Sequence, residues 1–200
     1  MTPSARKPAM PMNLATVLTL ARIASIPVLV LLFYAPWTWT HQAAAMLFLA
    51  AALTDWLDGW VARRFDQASS FGAFLDPVAD KLMVVVALVL VLQRSPAPWL
   101  AVVCAVIIGR EISISALREW MAELGQRASV RVGGIGKIKT IVQMTALTML
   151  IWHDTLWGLP IRDIGLALLV IAAILTLWSA WQYLRAAWLV LNQNDSSPAS

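Results

Sequence analysis

Residues 50–81 read AAALTDWLDGWVARRFDQASSFGAFLDPVADK, and four of their five aspartates, Asp55, Asp58, Asp76 and Asp80, form one spaced pattern in a chain that is otherwise strongly apolar. The spacing is Asp55-x2-Asp58-Gly59-x2-Ala62-Arg63-x8-Gly72-x3-Asp76-x3-Asp80. Steps of three and four residues return to the same face of a helix. Asp55 and Asp58 therefore project together from one helix, and Asp76 and Asp80 from the next. Carboxylates are costly in hydrocarbon and persist there when paired, wetted or bound to cations. Two facing carboxylate pairs make a site for hard divalent metals.

The surrounding chain is 60% hydrophobic and 13% charged, with a mean hydropathy of +0.73. Such a composition excludes an ordinary soluble domain and predicts an all-α, polytopic membrane protein. A lone cysteine, Cys104, cannot form an internal disulfide and reads as packing. Arg6 and Lys7 precede an apolar stretch, as in a signal peptide. That stretch is too long for an h-region, contains Arg22 and lacks a small-residue cleavage site, so it is expected to remain as the first span. The basic balance (pI ≈ 9.7) suits anionic lipid headgroups. No basic–aromatic interleaving points to nucleic acid.

Six spans are expected, near 14–34, 42–62, 76–93, 98–121, 138–152 and 162–188, each close to the length that crosses a bilayer. The fifth is short and is expected to begin within the preceding loop or to tilt little. Residues 1–12 form a basic leader, 13–191 one membrane domain, and 192–200 a polar tail expected to be disordered. With the N-terminus in the cytoplasm, Arg6, Lys7, Arg63, Arg64, Arg118, Arg127, Arg131, Lys137, Lys139 and Arg185 fall at cytoplasmic ends. Arg94 and Arg162 fall outside. This asymmetry obeys the positive-inside rule, and Trp37, Trp39, Trp99, Trp152 and Trp157 mark the outer interface.

Counted from the outer breaks, Arg22, Asp55, Asp80 and Arg110 each lie about 11–12 residues into their helices, roughly 17–18 Å deep. Four spans thus carry ionisable groups to one level, displaced toward the cytoplasm. Isolated charges there are prohibitive, so a polar chamber opening to the cytoplasm is expected.

Each piece of the motif also has an ordinary reading. Asp76-Pro77 suits a helix N-cap followed by proline at the first helical position. Gly59, Ala62 and Gly72 suit close helix packing, and Arg63 and Arg64 suit interface anchors. The combination is harder to dismiss: eight fixed positions arise by chance with odds on the order of 10⁻⁹ per start position. The pattern resembles the signature of the CDP-alcohol phosphatidyltransferases, membrane enzymes that move a phosphatidyl-type group from a CDP-linked donor to an alcohol.

That resemblance implies two divalent cations, Mg²⁺ or Mn²⁺, held by Asp55, Asp58, Asp76 and Asp80, with Asp80 also the proton acceptor. It implies donor binding by Thr16, Arg22, Gly59, Ala62, Arg63 and Gly72. Attack on a pyrophosphate must overcome the charge on its oxygens, which paired cations neutralise. The acceptor hydroxyl must also lose its proton to a base within hydrogen-bond reach. Gly59 and Ala62 would let the nucleotide approach the helix backbone. His41 and His153 both fall at the outer surface, and no serine or cysteine constellation suggests a covalent intermediate. Direct displacement is expected.

A second stretch bears on the acceptor. Residues 108–125, IGREISISALREWMAELG, resemble the phosphatidylglycerophosphate synthase branch of the family. So do Val130–Thr140 with Gly136-Lys137-Ile138-Lys139-Thr140, the opening Asn13-Leu-Ala-Thr16-x2-Thr19-x2-Arg22, and Asp76-Pro-Val-Ala-Asp80-Lys81. The resemblance covers about residues 13–145. It implies sn-glycerol 3-phosphate as acceptor, CDP-diacylglycerol as donor, a homodimer and a bacterial inner membrane. Ala15 stands where proline is common in the branch, and Gly133-Gly134 replace bulkier residues.

Arg110, Ser113, Leu117 and Arg118 step along one helix, while Lys137 and Lys139 begin the next span at the same membrane side. Converging Arg and Lys side chains suit a dianionic phosphate, so Arg110, Arg118, Lys137 and Lys139 are the expected acceptor-phosphate ligands. The alternative is that Arg118, Arg127, Arg131, Lys137 and Lys139 merely satisfy the positive-inside rule. Arg110-Glu111 is a polar pair inside a span, expected to be functional or paired between helices. Within the family the nearest rival is a cardiolipin synthase, followed by inositol-phosphate and serine transferases. From another class, intramembrane acids also line divalent-cation transporters, although here all the acids lie in the cytoplasmic half. A non-catalytic scaffold has no use for four costly aspartates in register.

Overall fold

The computed structural model describes the backbone of residues 14–65, 70–123, 135–156 and 158–195, with side chains over 17–54, 75–123, 138–156 and 158–188. Six helices follow one another: α1 (Leu14–Tyr34), α2 (Thr40–Phe65), α3 (Ser70–Arg94), α4 (Pro98–Glu123), α5 (Ile135–Trp152) and α6 (Ile161–Asp195). Among the described residues the only extended pairing is an isolated bridge, Leu156–Leu159. Three stretches are long and apolar enough to cross a membrane: Val17–Tyr34, Pro98–Glu123 and Ile161–Trp188. Thr40–Thr54 and Ile138–Trp152 are shorter apolar stretches. Outward positions such as Leu31, Val102, Ile141 and Ile174 are apolar and exposed, the reverse of a water-facing surface. This is an all-α, polytopic membrane protein.

The six helices overlie the six expected spans, of which three hold a stretch long and apolar enough to cross a membrane, and they differ from the expectation in three respects. α3 begins at Ser70, so Pro77 lies inside the helix and Asp76 is not its N-cap. Proline withholds one hydrogen bond from the ladder. Membrane helices tolerate that loss where neighbours re-satisfy the backbone, and α1 carries Pro27 in the same way. α6 runs to Asp195, four residues into the expected tail, because no proline occurs before Pro198 to stop it. The observed helix ends at Thr40 and Arg94 put Asp55 and Asp80 about 15 and 14 residues in. That is roughly 21–22 Å along each helix, deeper than the breaks suggest. α5 does start within the preceding loop, as its short apolar stretch required.

The chain divides into two compact units, Met1–Val86 and Ala87–Ser200, with the boundary inside α3. In the first, α1 packs on α2, and Leu29, Phe33, Ala44, Ala45 and Phe48 are buried. Alanines on α2 let α1 approach, the small-residue packing typical of lipid-embedded helices. Thr40 donates its hydroxyl to the carbonyls of Ala35 (3.1 Å) and Trp37 (2.8 Å), fixing the turn into α2. Trp37 and Trp39 stack there, centroids 6.0 Å apart, as interfacial aromatics do.

In the second unit α6 packs on both α5 and α4. α4 buries Leu100, Cys104, Ile107, Ile114 and Met121, one stripe at helical period. Cys104 is buried as a packing residue, its thiol 3.9 Å from the Leu88 carbonyl. Two arginines tie helix ends together: Arg94 donates to the Ile151 carbonyl (3.4 Å) and Arg162 to Ser95 (3.4 Å). At Gly165 α6 lies close against α5. A Cβ there would meet Leu150 Cγ at 3.0 Å and Met149 Cβ at 3.1 Å. Gly165→Val is therefore expected to destabilise the protein by about 1–3 kcal/mol through overpacking, read as a lowered melting temperature in detergent. An unchanged melting curve would show that the two helices separate freely.

Candidate functional site

The acidic motif lies in the first unit. Asp55 and Asp58 occupy the C-terminal half of α2, and Asp76 and Asp80 sit one turn apart near the start of α3. Asp76 and Asp80 are half-buried, with fully buried Ala79 between them. Thr19, buried on α1, donates its hydroxyl to Asp76 Oδ1 and so orients that carboxylate. Arg22, one turn further along α1, is also buried, at 3% exposure. The side chains of Asp55, Asp58, Gly59, Ala62, Arg63, Gly72 and Thr16 lie outside the described residues, although their backbone is helical. Among the described residues no group of three or more His, Cys, Asp or Glu gathers.

The second unit holds a small polar cavity of about 170 Å³, lined by Arg110, Glu111, Ile114, Arg118, Lys139, Thr140, Ser179 and Tyr183. Glu111 Oε2 accepts from both Arg110 Nη1 and Lys139 Nζ, each at 2.9 Å. Arg110 Nη2 donates to Ser179 Oγ at 2.9 Å. Both cations are nearly enclosed: 9% of the Arg110 side chain and 6% of the Lys139 side chain remain exposed. The Arg110 Nε–H is buried without a hydrogen-bond acceptor among the described residues. Leaving such a donor unsatisfied is costly. Three cations and one anion give the cavity a net charge of +2, the complement of a phosphate monoester.

Three of the four expected acceptor-phosphate residues, Arg110, Arg118 and Lys139, thus line one cavity. The side chain of Lys137, like Arg127 and Arg131, lies outside the described residues. The face of α4 differs from the expected one. Arg110, Ile114 and Arg118, at steps of four, line the polar cavity, whereas Ser113 and Leu117 line only an adjoining apolar groove of about 460 Å³, which shares Arg110 and Ile114 with the cavity. Sequence reading passed over Ser179 and Tyr183. With Thr176 they form a buried stripe on α6 at steps of three and four, a pattern legible in an otherwise apolar helix.

A family model described as CDP-alcohol phosphatidyltransferase matches residues 12–178. The chain belongs to this family. It is also 54% identical over 178 residues to proteins named CDP-diacylglycerol–glycerol-3-phosphate 3-phosphatidyltransferase from Escherichia coli K12, Shigella flexneri and Shigella boydii. Each alignment covers 89% of this chain and 96% of the relative.

The CDP-alcohol phosphatidyltransferase family is in general dependent on divalent metal. The residues present fit such an ion. The motif offers carboxylate oxygens alone, the donor set of Mg²⁺ and Mn²⁺ rather than of thiophilic metals. A neutral hydroxyl from Thr19 already holds Asp76 in one orientation, the outer support that metal-binding carboxylates commonly have.

Proposed function

We propose that this protein transfers the phosphatidyl group of CDP-diacylglycerol to sn-glycerol 3-phosphate, giving phosphatidylglycerol phosphate and CMP. The observation that carries this reading is the 54% identity, over nearly all of both chains, to enzymes named for that reaction. The +2 cavity supports it, because a phosphate monoester is what separates this acceptor from a neutral alcohol.

Asp55, Asp58, Asp76 and Asp80 would hold two divalent cations, whose charge offsets that of the donor's pyrophosphate oxygens. Thr16, Arg22, Gly59, Ala62, Arg63 and Gly72 bind the donor in this reading. Arg110, Arg118, Lys137 and Lys139 hold the acceptor phosphate. The acceptor's primary hydroxyl oxygen attacks the lipid-side phosphorus, the bond from that phosphorus to the CMP oxygen breaks, and the hydroxyl proton passes to Asp80. CMP leaves with the electron pair. The excess of basic residues at one set of helix ends supports a cytoplasmic N-terminus and a site opening to the cytoplasm of a bacterial inner membrane. A homodimer belongs to the same reading.

Purified protein supplied with labelled CDP-diacylglycerol and one acceptor at a time tests the reaction. Product is expected from glycerol phosphate alone. Product from phosphatidylglycerol would make the protein a cardiolipin synthase, and metal flux into vesicles without CMP release would make it a transporter. Arg118→Ala is expected to raise the KM for glycerol phosphate roughly tenfold, the loss of one charge-assisted contact, and to leave the KM for the CDP donor nearly unchanged. An equal effect on both substrates would remove Arg118 from the acceptor site.

A further inference from the structure

We infer that Glu111 is a positioning residue: one carboxylate oxygen holds Arg110 and Lys139 in the arrangement that receives the acceptor phosphate. The inference rests on the reading of the 170 Å³ cavity as the acceptor-phosphate site. An acidic residue in a phosphate site works against binding by charge alone, so its presence needs a reason. Neighbouring residues on a helix do not face each other, yet Arg110 and Glu111, adjacent on α4, close an ion pair at 2.9 Å. The same oxygen takes Lys139 from α5 at 2.9 Å. Two nearly enclosed cations on different helices repel each other, and an anion between them converts that repulsion into a fixed separation.

Arg110 is held twice. Nη1 is committed to Glu111 and Nη2 to Ser179 on α6, so the planar fork cannot rotate, and the buried Nε–H has no acceptor among the described residues. The network Ser179–Arg110–Glu111–Lys139 thus joins α6, α4 and α5, and Glu111 is the one member whose charge is opposite to its neighbours'.

The experiment compares Glu111→Gln, Ser179→Ala and Arg118→Ala in purified enzyme, measuring KM and kcat for each substrate. It also measures the melting shift produced by sn-glycerol 3-phosphate without donor. Glutamine keeps the shape of the side chain and removes its charge. In Glu111→Gln the KM for glycerol phosphate is expected to rise roughly tenfold or more, with the donor KM within about twofold and the glycerol phosphate melting shift lost. Ser179→Ala, which releases Arg110 without touching any charge, is expected to raise the same KM several-fold. This variant decides the matter if Glu111→Gln does not fold.

A fall in the acceptor KM in Glu111→Gln would mean that the carboxylate only damps the positive field, and would overturn the inference. Unchanged acceptor KM in both variants, with Arg118→Ala raised, would overturn it while leaving the cavity reading intact. Unchanged acceptor KM in Arg118→Ala as well would overturn both.

Discussion

Asp80→Asn is expected to lower kcat by roughly 10²–10⁴-fold, the range that a positioned general base contributes, and to leave the metal-free melting temperature and both KM values nearly unchanged. Asparagine matches the aspartate in size, so the helix accommodates it without a change of volume, but an amide cannot take the hydroxyl proton. Asp76→Asn separates this effect from loss of a metal ligand. Asp76 is held from outside by Thr19, and its amide variant is expected to need more Mg²⁺ or Mn²⁺ yet to recover much of its rate when the ion is raised. Asp80→Asn is expected to stay slow at any ion concentration. Activity within tenfold of the parent in Asp80→Asn would eliminate the base role. Recovery at high metal would make Asp80 a ligand only.

The placement of the helices was legible because crossing a bilayer is a local demand: an apolar run either is long enough or is not. α1 falls at its expected ends and α4 within two residues of them. The start of α3 was not legible. Asp76-Pro77 has the local chemistry of a helix start, but Ser70–Leu75 is itself able to be helical and the proline is absorbed within the helix. Proline and capping rules describe local preference, which packing overrides.

The cationic cavity was legible in part for a similar reason. Arg110 and Lys139 stand out as charges in apolar sequence, whereas their meeting on one Glu111 oxygen is a tertiary fact. Leu117, which lines only the groove, and Arg118, which lines only the cavity, are a single step of about 100° apart around α4. Spacing alone does not say which side of Arg110 carries the polar cavity and which the apolar groove. Ser179 was passed over because serine in a membrane helix is as often a packing residue as a partner.

Removal of divalent cations is expected to stop turnover altogether, and Mg²⁺ or Mn²⁺ to restore it. The argument starts from cost. Four carboxylates brought together in a lipid-embedded protein, as proposed, would repel one another and lose hydration. The chain supplies few cations within the motif, Arg63, Arg64 and Lys81 being the basic residues among positions 55–81. In the proposed reading, bound divalent ions would offset the remaining charge and would account for an oxygen-only donor set in apolar sequence. Excess chelator should therefore do two things. It should abolish CMP release, and it should lower the melting temperature, because an ion bound only by the folded state stabilises it in proportion to its occupancy. Mn²⁺ binding followed by magnetic resonance on purified protein gives a readout independent of catalysis. About two ions per chain are expected in the parent, from the two-metal arrangement suited to in-line displacement, and fewer in Asp76→Asn. Ca²⁺, which prefers more ligands at longer distances, is expected to restore the melting temperature better than the rate. Turnover persisting in excess chelator, or no bound Mn²⁺ in active protein, would remove the cations from the mechanism and leave the aspartates without an account.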